Sequence, residues 1–575
     1  MTEADRTEAA MTGSIRRTHP YPRPDWTFVR ADALTKVFPD DVPPAAAQDE
    51  LCGFLGETLS FQVAYLPPAH GSGGGDRIRV EVDDASAPFT VVSTVELVPV
   101  TLAAFDGHDA GYLRDAPGLY PDLLKPLPDG ALVRPLTASW GALWFDVRID
   151  EAEHAGSRTV GVRIVRESDS QVLYQVDVPV QVHPVDLPAL DIINTHWLHA
   201  DCLADYYGVE AFGAEHWERL EAFIGAAARM RVTSLLTPTW TPPLDTAVGG
   251  TRTPVQLVGI ADDGNGYAFD FSRLGRWLAL CRKHGITTVE IAHLFTQWGA
   301  KATPAIYVDT PSGREHRFGW HVPATDPRYR GLLEQLLPAL RAYLDQEWPE
   351  GSVLWHISDE PHPADRDTYL AAREVVHDLL AGADVADALS DFDFVDAVAI
   401  PIVATDSVEP FRAAGMNPFV YYCVSQHTDV ANRFIAMPSV RNRVLGRQLF
   451  VNRAPGFLHW GFNFWNTQFS LGSLDPFADT CAGGAFPGGD ASIVYPAPDG
   501  TAWPSVRYRV FTQGMDDHRA LQLLRDLTDH DTAASYVDQG GELSYSRFDY
   551  DRRAHLNARR AVDERILAEL AAPSK

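Results

Sequence analysis

Cysteine is scarce and scattered in this sequence. Five cysteines occur among 575 residues. They are Cys52, Cys202, Cys281, Cys423 and Cys481. None belongs to a C-x-x-C pair or to a paired Cys/His spacing, so neither a disulfide framework nor a structural zinc site is indicated. His196, His199 and Asp201 have no second cluster to complete a catalytic metal site. We therefore expect no metal and no other cofactor.

Positive charge is also in deficit. The chain has 48 Lys and Arg residues against 77 Asp and Glu residues, which gives a formal net charge of −29. A protein with this balance repels the phosphate backbone of nucleic acids and anionic lipid surfaces at long range. The acids are spread along the chain, which also fits simple solubility. We expect neither nucleic acid nor a membrane as a partner, and the oligomeric state stays open.

The N-terminal stretch lacks a long apolar run. "MTEADRTEAAMTGSIRRTHPYPRPDW" has charges with no hydrophobic segment after them, so it predicts neither a signal peptide nor a membrane anchor. We expect residues 1–24 to form a disordered tail. The same feature predicts a cytoplasmic protein.

The chain is too long for a single core, and its texture changes near residue 190. Residues 25–188 contain short segments such as "ALWFDVRID" and "TVGVRIV", in which apolar and polar residues alternate between turn residues. This pattern predicts a β-sandwich, which we expect to be an accessory domain.

Strand-like and helical segments alternate over residues 189–530. "VTSLLTPTW" is followed by a loop and a helix, and "TTVEIAHLFTQWG" by an insertion and a helix; about eight such units can be counted. This repetition predicts an α/β fold with a (β/α)₈ barrel, and residues 531–575 a helical extension. A doubly wound sheet is the alternative, but no Gly-rich phosphate fingerprint follows any strand.

In such a barrel the active site lies at the carboxyl ends of the strands. The segments predicted there carry aromatic and hydrogen-bonding side chains, which suit a carbohydrate because aromatic faces stack on sugar rings. The candidate residues for substrate binding are His196, Trp197, Trp240, His293, Trp298, Tyr421, Trp460, Asn463, Trp465, Asn466 and Tyr495. Some of the tryptophans are expected to be core residues.

The segment "SVLWHISDEPHP" places Asp359 and Glu360 side by side after an apolar run. Two interpretations compete: a solvated turn capped by acids, or a catalytic carboxyl pair at the end of a barrel strand. Side chains of adjacent residues on a regular strand point to opposite faces, so both can serve one site only if the strand ends or bulges there. Pro361 is placed to end it.

Three stretches resemble a known family. "WHISDEPH", "GFLHWGFNFWN" and "GGDASIVYPAPDGTAWPSVRYRVFTQGMDDHRALQLL" are similar to proteins with the domain of unknown function 4091, which are related to glycoside hydrolase family 123. The resemblance covers about residues 190 to 530. It implies a β-sandwich and a (β/α)₈ barrel, a retaining exo-β-N-acetylgalactosaminidase activity, and Asp359 and Glu360 as the catalytic pair.

The chemistry of a 2-acetamido sugar explains how adjacent acids can serve. Ordinary retaining glycosidases use two carboxyl groups about 5–5.5 Å apart, but here the acetamido oxygen can attack the anomeric carbon. Asp359 would then stabilise the acetamido group and Glu360 would protonate the leaving oxygen. Tyr421 is the candidate for orienting the oxazolinium, and Trp460 and Trp465 for the sugar platform.

Three alternatives stay open. The chain could act on another β-hexosaminide, or on a glycoside without an acetamido group by using a nucleophile on a later strand. It could also be a carbohydrate-binding protein that has lost turnover. The acid pair is intact, and no later strand offers an obvious Glu at its carboxyl end, which favours substrate assistance.

Overall fold

The structure, a computed structural model, describes residues 25–68, 77–264 and 266–572. The predicted tail, residues 1–24, lies outside the described residues. Within the described part of the chain, no helix is both long and apolar enough to cross a membrane.

Ten strands form two five-stranded sheets at the amino-terminal end of the described chain. They are β1 (Thr27–Asp32), β2 (Leu51–Leu55), β3 (Thr58–Leu66), β4 (Ile78–Val82), β5 (Thr90–Val100), β6 (Gly118–Pro126), β7 (Leu132–Val133), β8 (Gly141–Arg148), β9 (Gly156–Arg166) and β10 (Val172–Asp186). The sheet orders are β1-β3-β8-β5-β6 and β2-β10-β9-β4-β7. Alternate residues of β3, β8, β9 and β10 form the apolar core between the sheets, so the predicted β-sandwich is confirmed.

Fourteen further strands follow in the described chain. They are β11 (Ile193–His196), β12 (Ser234–Thr237), β13 (Gly259–Asp262), β14 (Tyr267–Asp270), β15 (Thr288–Ile291), β16 (Ile306–Thr310), β17 (Gly313–Phe318), β18 (Ser352–Trp355), β19 (Asp384–Leu389), β20 (Ile400–Ala404), β21 (Phe419–Tyr421), β22 (Gly456–His459), β23 (Val494–Pro496) and β24 (Ala502–Pro504). Eight of them, β11-β12-β15-β18-β19-β20-β21-β22, close a parallel barrel. The predicted (β/α)₈ barrel is therefore confirmed.

The described residues also form eleven α-helices. They are α1 (Ala200–Tyr207), α2 (Ala214–Arg229), α3 (Ser272–Lys283), α4 (Pro327–Glu347), α5 (Arg366–Val376), α6 (Glu409–Ala413), α7 (Ser439–Arg443), α8 (Leu445–Val451), α9 (Val506–Leu527), α10 (His530–Ser535) and α11 (Arg552–Ala571). The starts of α4 and α9 show why helices begin where they do. Asp326 accepts the backbone N–H of Arg328, and Ser505 accepts that of Tyr508, so both supply a hydrogen-bond partner to an otherwise unpaired N–H group.

The segments treated above as a loop and an insertion contain an extra sheet. β13 and β14 form one hairpin and β16 and β17 another, and β13 pairs with β16 to give the order β14-β13-β16-β17. The two hairpins are separated along the chain by α3 and β15. Strands of four to six residues pair here across that separation, which is why local periodicity alone does not reveal them.

The sandwich and the barrel share buried contacts. Val98, Val100 and Tyr120 of the sandwich pack with Ile435 and Tyr495 of the barrel domain.

A buried ion pair crosses the same boundary. Arg507 at the start of α9 donates from Nε and Nη2 to the two oxygens of Asp122, at 2.9 and 2.8 Å. A bidentate pair fixes orientation as well as distance.

Residues 101–117, which we call the clamp loop, extend from the sandwich onto the barrel loop that follows β21. The backbone N–H of Asp429 donates to Asp109 Oδ2 at 2.7 Å, Tyr112 OH donates to the carbonyl of His427 at 2.9 Å, and Leu113 N–H donates to the carbonyl of Ala436 at 2.9 Å. The clamp loop thereby fixes the backbone of that barrel loop.

The last two helices pack on α9. Val562 and Ile566 of α11 join Phe54, Leu521 and Leu524 in one apolar cluster. Beside it lies a set of six buried charged residues that we call the arginine cluster. It consists of Arg443, Arg447, Arg559, Asp517, Glu57 and Asp563.

Candidate active site

A cavity of about 230 Å³ opens at the carboxyl ends of the barrel strands. Pockets that enclose drug-sized ligands measure about 300–1,000 Å³, so this cavity is sized for a smaller ligand. Its lining residues are Trp197, Leu244, Asp245, Gln297, Trp298, Asp359, Glu360, Ala388, Tyr421, Cys423, Val424, Leu458, Trp460, Gln468 and Phe486. Both members of the predicted acid pair are among them.

The backbone turns sharply at the acid pair. β18 ends at Trp355, before the pair, so the strand ends earlier than Pro361 would require. Glu360 has φ +45°, in the left-handed region that residues with a side chain rarely occupy, and its N–H donates to the carbonyl of Ala388 at 3.0 Å. Because of this turn, the two neighbouring side chains line the same cavity instead of pointing to opposite faces.

Asp359 is held by Gln297. Asp359 Oδ2 accepts a hydrogen bond from Gln297 Nε2 at 2.8 Å, and Gln297 Oε1 accepts the backbone N–H of Asp245 at 2.6 Å. A backbone N–H can only donate, so the Gln297 amide must present its NH₂ group to Asp359. Oδ1 of Asp359 has no partner among the described residues and is free for a ligand.

Glu360 is held through its other neighbours. Its Oε1 accepts Tyr421 OH at 2.7 Å and lies 3.8 Å from Cys423 Sγ, while Tyr421 OH is 3.0 Å from Ser390 Oγ. Since both donors address Oε1, a proton on this carboxyl group belongs on Oε2, which has no partner in the described part of the chain. Glu360 is thus arranged to deliver a proton from Oε2.

The electrostatics of the cavity favour one proton shared between Asp359 and Glu360. Burial raises the pKa of Asp359, and the neighbouring Glu360 raises it further. Burial also raises the pKa of Glu360, although the hydrogen bonds from Tyr421 and Cys423 oppose this. Two adjacent, buried carboxyl groups disfavour double ionisation. The pair can therefore hold one acid and one carboxylate near neutral pH.

A charged network lies inside the barrel beneath the cavity. His356 Nε2 is 3.2 Å from Glu290 Oε2, and His356 Nδ1 is 3.6 Å from Asp387 Oδ1. Burial opposes a charge on His356, but the two carboxylates outweigh it and raise the pKa of His356 to about 10. Glu290 Oε2 also accepts the indole N–H of Trp197 at 3.0 Å, so the network fixes an aromatic side chain of the cavity wall.

Six of the predicted site residues meet in the cavity: Trp197, Trp298, Asp359, Glu360, Tyr421 and Trp460. The other seven do not line it: His196, Trp240, His293, Asn463, Trp465, Asn466 and Tyr495. All seven are buried. Substrate binding by them stays a prediction that gains no support from their positions.

Local contacts account for several of these seven. Trp240 Nε1 donates to the carbonyl of His293 at 2.7 Å, and Tyr495 OH donates to Asp122 Oδ2 at 2.7 Å. Asn463 accepts the N–H of His199 and donates to its carbonyl. These side chains tie elements together.

Sequence reasoning missed several cavity residues, among them Asp245, Gln297, Gln468 and Phe486. Most of the missed residues lie on the long segments after β12, β15 and β22, with no periodicity to mark them. The signal available was position: loops that follow barrel strands carry the ligand-contacting residues of this fold.

Backbone strain is concentrated here. Asp245 (φ +39°), Trp298 (φ +57°), Glu360 (φ +45°), Phe469 (φ +62°) and Ser470 (φ +52°) are non-glycine residues in the left-handed region. Three line the cavity, and Phe469 and Ser470 bond to Asp245. Strained residues of this kind persist where surrounding contacts over-determine them, and they cluster at functional sites.

Comparison with solved structures supports the fold. A family 123 glycoside hydrolase from Clostridium perfringens, described in terms of glycolipid glycan hydrolysis, aligns with TM-score 0.68 at 12% identity over 95% of this chain and 98% of that chain. A β-glucuronidase from Ruminococcus gnavus aligns at 10% identity with TM-score 0.33, over 86% of this chain and 68% of that chain. A search of curated proteins gives no match.

Comparison with family models identifies the barrel. The model "Glycoside hydrolase 123, catalytic domain" matches residues 197–524, which is more than half of the chain and includes Asp359, Glu360 and every other residue that lines the cavity. The chain therefore belongs to glycoside hydrolase family 123.

Proposed function

We propose that this protein is a retaining glycoside hydrolase that releases terminal β-linked N-acetylgalactosamine, with the acetamido group of the substrate as the nucleophile. Asp359 and Glu360 are the catalytic residues. The observation that carries the proposal is the left-handed turn at Glu360, which brings two adjacent carboxyl groups into one cavity with different hydrogen-bond partners.

In the first step the acetamido oxygen attacks the anomeric carbon and the glycosidic bond breaks. Asp359 Oδ1, left open by the contact of Oδ2 with Gln297, accepts the acetamido N–H and stabilises the positive charge of the forming oxazolinium. Glu360 gives its Oε2 proton to the leaving oxygen. The products are the free aglycone alcohol and a bound oxazolinium.

In the second step a water molecule attacks the anomeric carbon on the face that the aglycone has left. Glu360, now a carboxylate, takes a proton from that water, and the oxazolinium reopens to the acetamido group. The Glu360 proton is restored and the configuration at the anomeric carbon is retained after two inversions.

The second candidate function is hydrolysis of a glycoside without an acetamido group. Asp245 favours it, because this residue is a third carboxyl group in the cavity. It lies on the loop after β12 and not at the end of a later strand, the place predicted above for such a nucleophile. Asp245 would then be the nucleophile and Glu360 the acid/base. Its Oδ2 accepts the N–H of Phe469 at 3.1 Å, which lowers its nucleophilicity, so we favour substrate assistance.

A panel of nitrophenyl glycosides tests the proposal. We expect kcat/KM on the β-N-acetylgalactosaminide to exceed that on the β-galactoside by orders of magnitude. Replacing the acetamido methyl hydrogens stepwise by fluorine should lower kcat/KM progressively, because fluorine withdraws electrons from the attacking oxygen. Comparable rates on both glycosides, or no response to fluorination, would refute substrate assistance and favour the second candidate.

The choice of galacto over gluco configuration comes from the family resemblance, and the same panel settles it through the β-N-acetylglucosaminide. The cytoplasmic location stays a prediction.

A further inference from the structure

Asp245 is a third carboxyl group in the cavity that contains the catalytic pair. It follows β12 on a long loop, and its side chain is buried except for 7% of its surface. Burial raises the pKa of Asp245 to about 6, so the group is mostly ionised at neutral pH. The two-step mechanism above assigns it no task.

Its position is firmly set. The Asp245 N–H donates to Gln297 Oε1 at 2.6 Å, its carbonyl accepts Ser470 Oγ at 2.7 Å, and its Oδ2 accepts the Phe469 N–H at 3.1 Å. Its φ of +39° is strained for a residue with a side chain. Oδ1 has no hydrogen-bond partner among the described residues, so one carboxylate oxygen of a rigid group remains for a ligand.

No positive side chain balances this charge inside the cavity. The described lining contains three carboxyl groups and no Lys, Arg or His. Arg252 is the cation that acts on Asp245, but it is committed elsewhere: its Nε and Nη2 donate to the two oxygens of Asp201 at 2.7 and 2.8 Å. Arg and Lys are the side chains that bind sulfate and phosphate most strongly, and the described lining of this cavity has neither.

We propose that Asp245 determines specificity for the terminal sugar: its carboxylate accepts a hydrogen bond from a ring hydroxyl, and its charge excludes sugars that carry sulfate, phosphate or carboxylate groups. The inference rests on the proposed function, since that function puts a terminal hexosamine in the cavity. Two like charges about 5 Å apart at an effective dielectric constant of about 20 disfavour binding by roughly a hundredfold. Substrates are therefore neutral terminal N-acetylhexosamines.

The kinetic test compares nitrophenyl β-N-acetylgalactosaminide with its 4-O-sulfate and 6-O-sulfate. Wild type should prefer the neutral substrate by about a hundredfold or more in kcat/KM. Asp245→Asn removes the charge, and its amide oxygen can still accept the Phe469 N–H. In this variant the ratio of kcat/KM on the neutral substrate to kcat/KM on the sulfated substrates should fall about tenfold or more. KM on the neutral substrate should rise, because a hydrogen bond to the sugar is weakened, and kcat should stay nearly unchanged.

A matched control makes the same charge change outside the cavity. Asp205 on α1 is exposed and accepts a hydrogen bond from Thr253 Oγ1 at 2.6 Å. Thr253 is the residue after Arg252, so this control lies near the same cation. Asp205→Asn should keep the wild-type preference. The sulfated form that gains most in Asp245→Asn identifies the ring position that Asp245 faces.

Binding without turnover separates this inference from the proposed function. Trp197, Trp298 and Trp460 line the cavity, so their fluorescence can follow titration with free N-acetylgalactosamine and its two monosulfates. If wild type binds only the neutral sugar and hydrolyses nothing, the inference holds and the proposed function fails. Three outcomes overturn the inference: binding of neutral and sulfated sugars alike, binding of neither, or an unchanged preference in Asp245→Asn. A uniform collapse of kcat in Asp245→Asn also overturns it, because a nucleophile gives that result.

Discussion

Two groups of buried charge in this protein are arranged in opposite ways. In the arginine cluster, Asp517 accepts hydrogen bonds from Arg443, Arg447 and Arg559 at 2.9, 3.2 and 3.1 Å. Although burial opposes ionisation, these cations hold the pKa of Asp517 well below its usual range. In the cavity, Asp245, Asp359 and Glu360 have no cation in the lining, and the pKa of each is raised.

The two groups of charges affect the stability of the protein in opposite ways. Asp517, paired with three arginines, contributes stability that is present above its unfolded pKa of about 3.9 and is lost as pH falls through the lower folded value. A carboxyl group with a raised folded pKa does the reverse: its contribution to the free energy of unfolding falls as pH rises above the unfolded pKa, about 3.9 for Asp and about 4.3 for Glu. At neutral pH the carboxyl groups of the cavity therefore lower the stability of the fold, and their raised pKa values allow a proton to be kept there. The arginine cluster instead stabilises the fold and links Glu57 of the sandwich to the helices of the barrel domain.

The largest expected effect is on the acid. Glu360→Gln should lower kcat/KM by about 10²–10⁴-fold on substrates with poor leaving groups, and far less on activated aryl glycosides, whose departure needs little protonation. The measurement is kcat/KM across a leaving-group series, with Glu409→Gln on the exposed side of α6 as the control. A loss of the same size for every leaving group would contradict the role of Glu360 as acid. Thermal unfolding at pH 7 should show this variant as stable as wild type or more so.

On the other side of the comparison, Asp517→Asn should lower the free energy of unfolding by about 3–5 kcal/mol, because three buried arginines lose a common partner. Denaturant unfolding measures this, and kcat/KM per folded molecule at 25 °C should not change. Asp526→Asn, an exposed change on the same helix, is the control. A drop in kcat/KM without a drop in the free energy of unfolding would contradict the claim that the arginine cluster serves stability and not catalysis.

Asp359→Asn should slow the reaction by about 10²–10³-fold, the size expected for loss of one electrostatic stabiliser. The loss should be equal for all leaving groups, since cyclisation of the acetamido group accompanies the departure of each of them. The same leaving-group series tests this, and a stability at pH 7 at or above wild type completes the contrast with Asp517→Asn. If both Asp359→Asn and Glu360→Gln keep nearly wild-type rates, the pair is only a structural turn.

The smallest effect concerns Tyr421. Tyr421→Phe removes the 2.7 Å hydrogen bond to Glu360 Oε1, worth about 0.5–1.5 kcal/mol, so kcat/KM should fall about tenfold or less. Because that bond lowers the pKa of Glu360, its loss should move the basic limb of the pH profile to higher pH. A basic limb that stays in place or moves to lower pH would show that Tyr421 does not act on the acid.

The sequence predicts the barrel and the acid pair because both leave local signals. Eight apolar runs each followed by a helical pattern mark the strands, and "SDEP" marks the end of one of them. The hydrogen-bonding residues around the cavity leave no such local signal. His196 and His293 follow the same pattern at the strand ends, yet both are fully buried and lie outside the cavity lining.

Long-range packing decides the rest. Asp245 and Gln297 enter the cavity from two irregular loops that are distant in sequence and are joined by a hydrogen bond, and Asp245 is also bonded to Phe469 and Ser470 of a third segment. No periodicity encodes such contacts. For the same reason the four-stranded sheet from β13 to β17 escapes a local reading of the sequence.

The clamp loop has a consequence for any exchange of the two domains of this chain. The barrel loop that it fixes contains Cys423 and Val424, which line the cavity, so part of the cavity wall belongs to a loop that the amino-terminal domain holds in place. A recombination event that brought in a new amino-terminal domain would therefore also remodel the active site. A chimaera that exchanges either domain must therefore carry the partner loop with it.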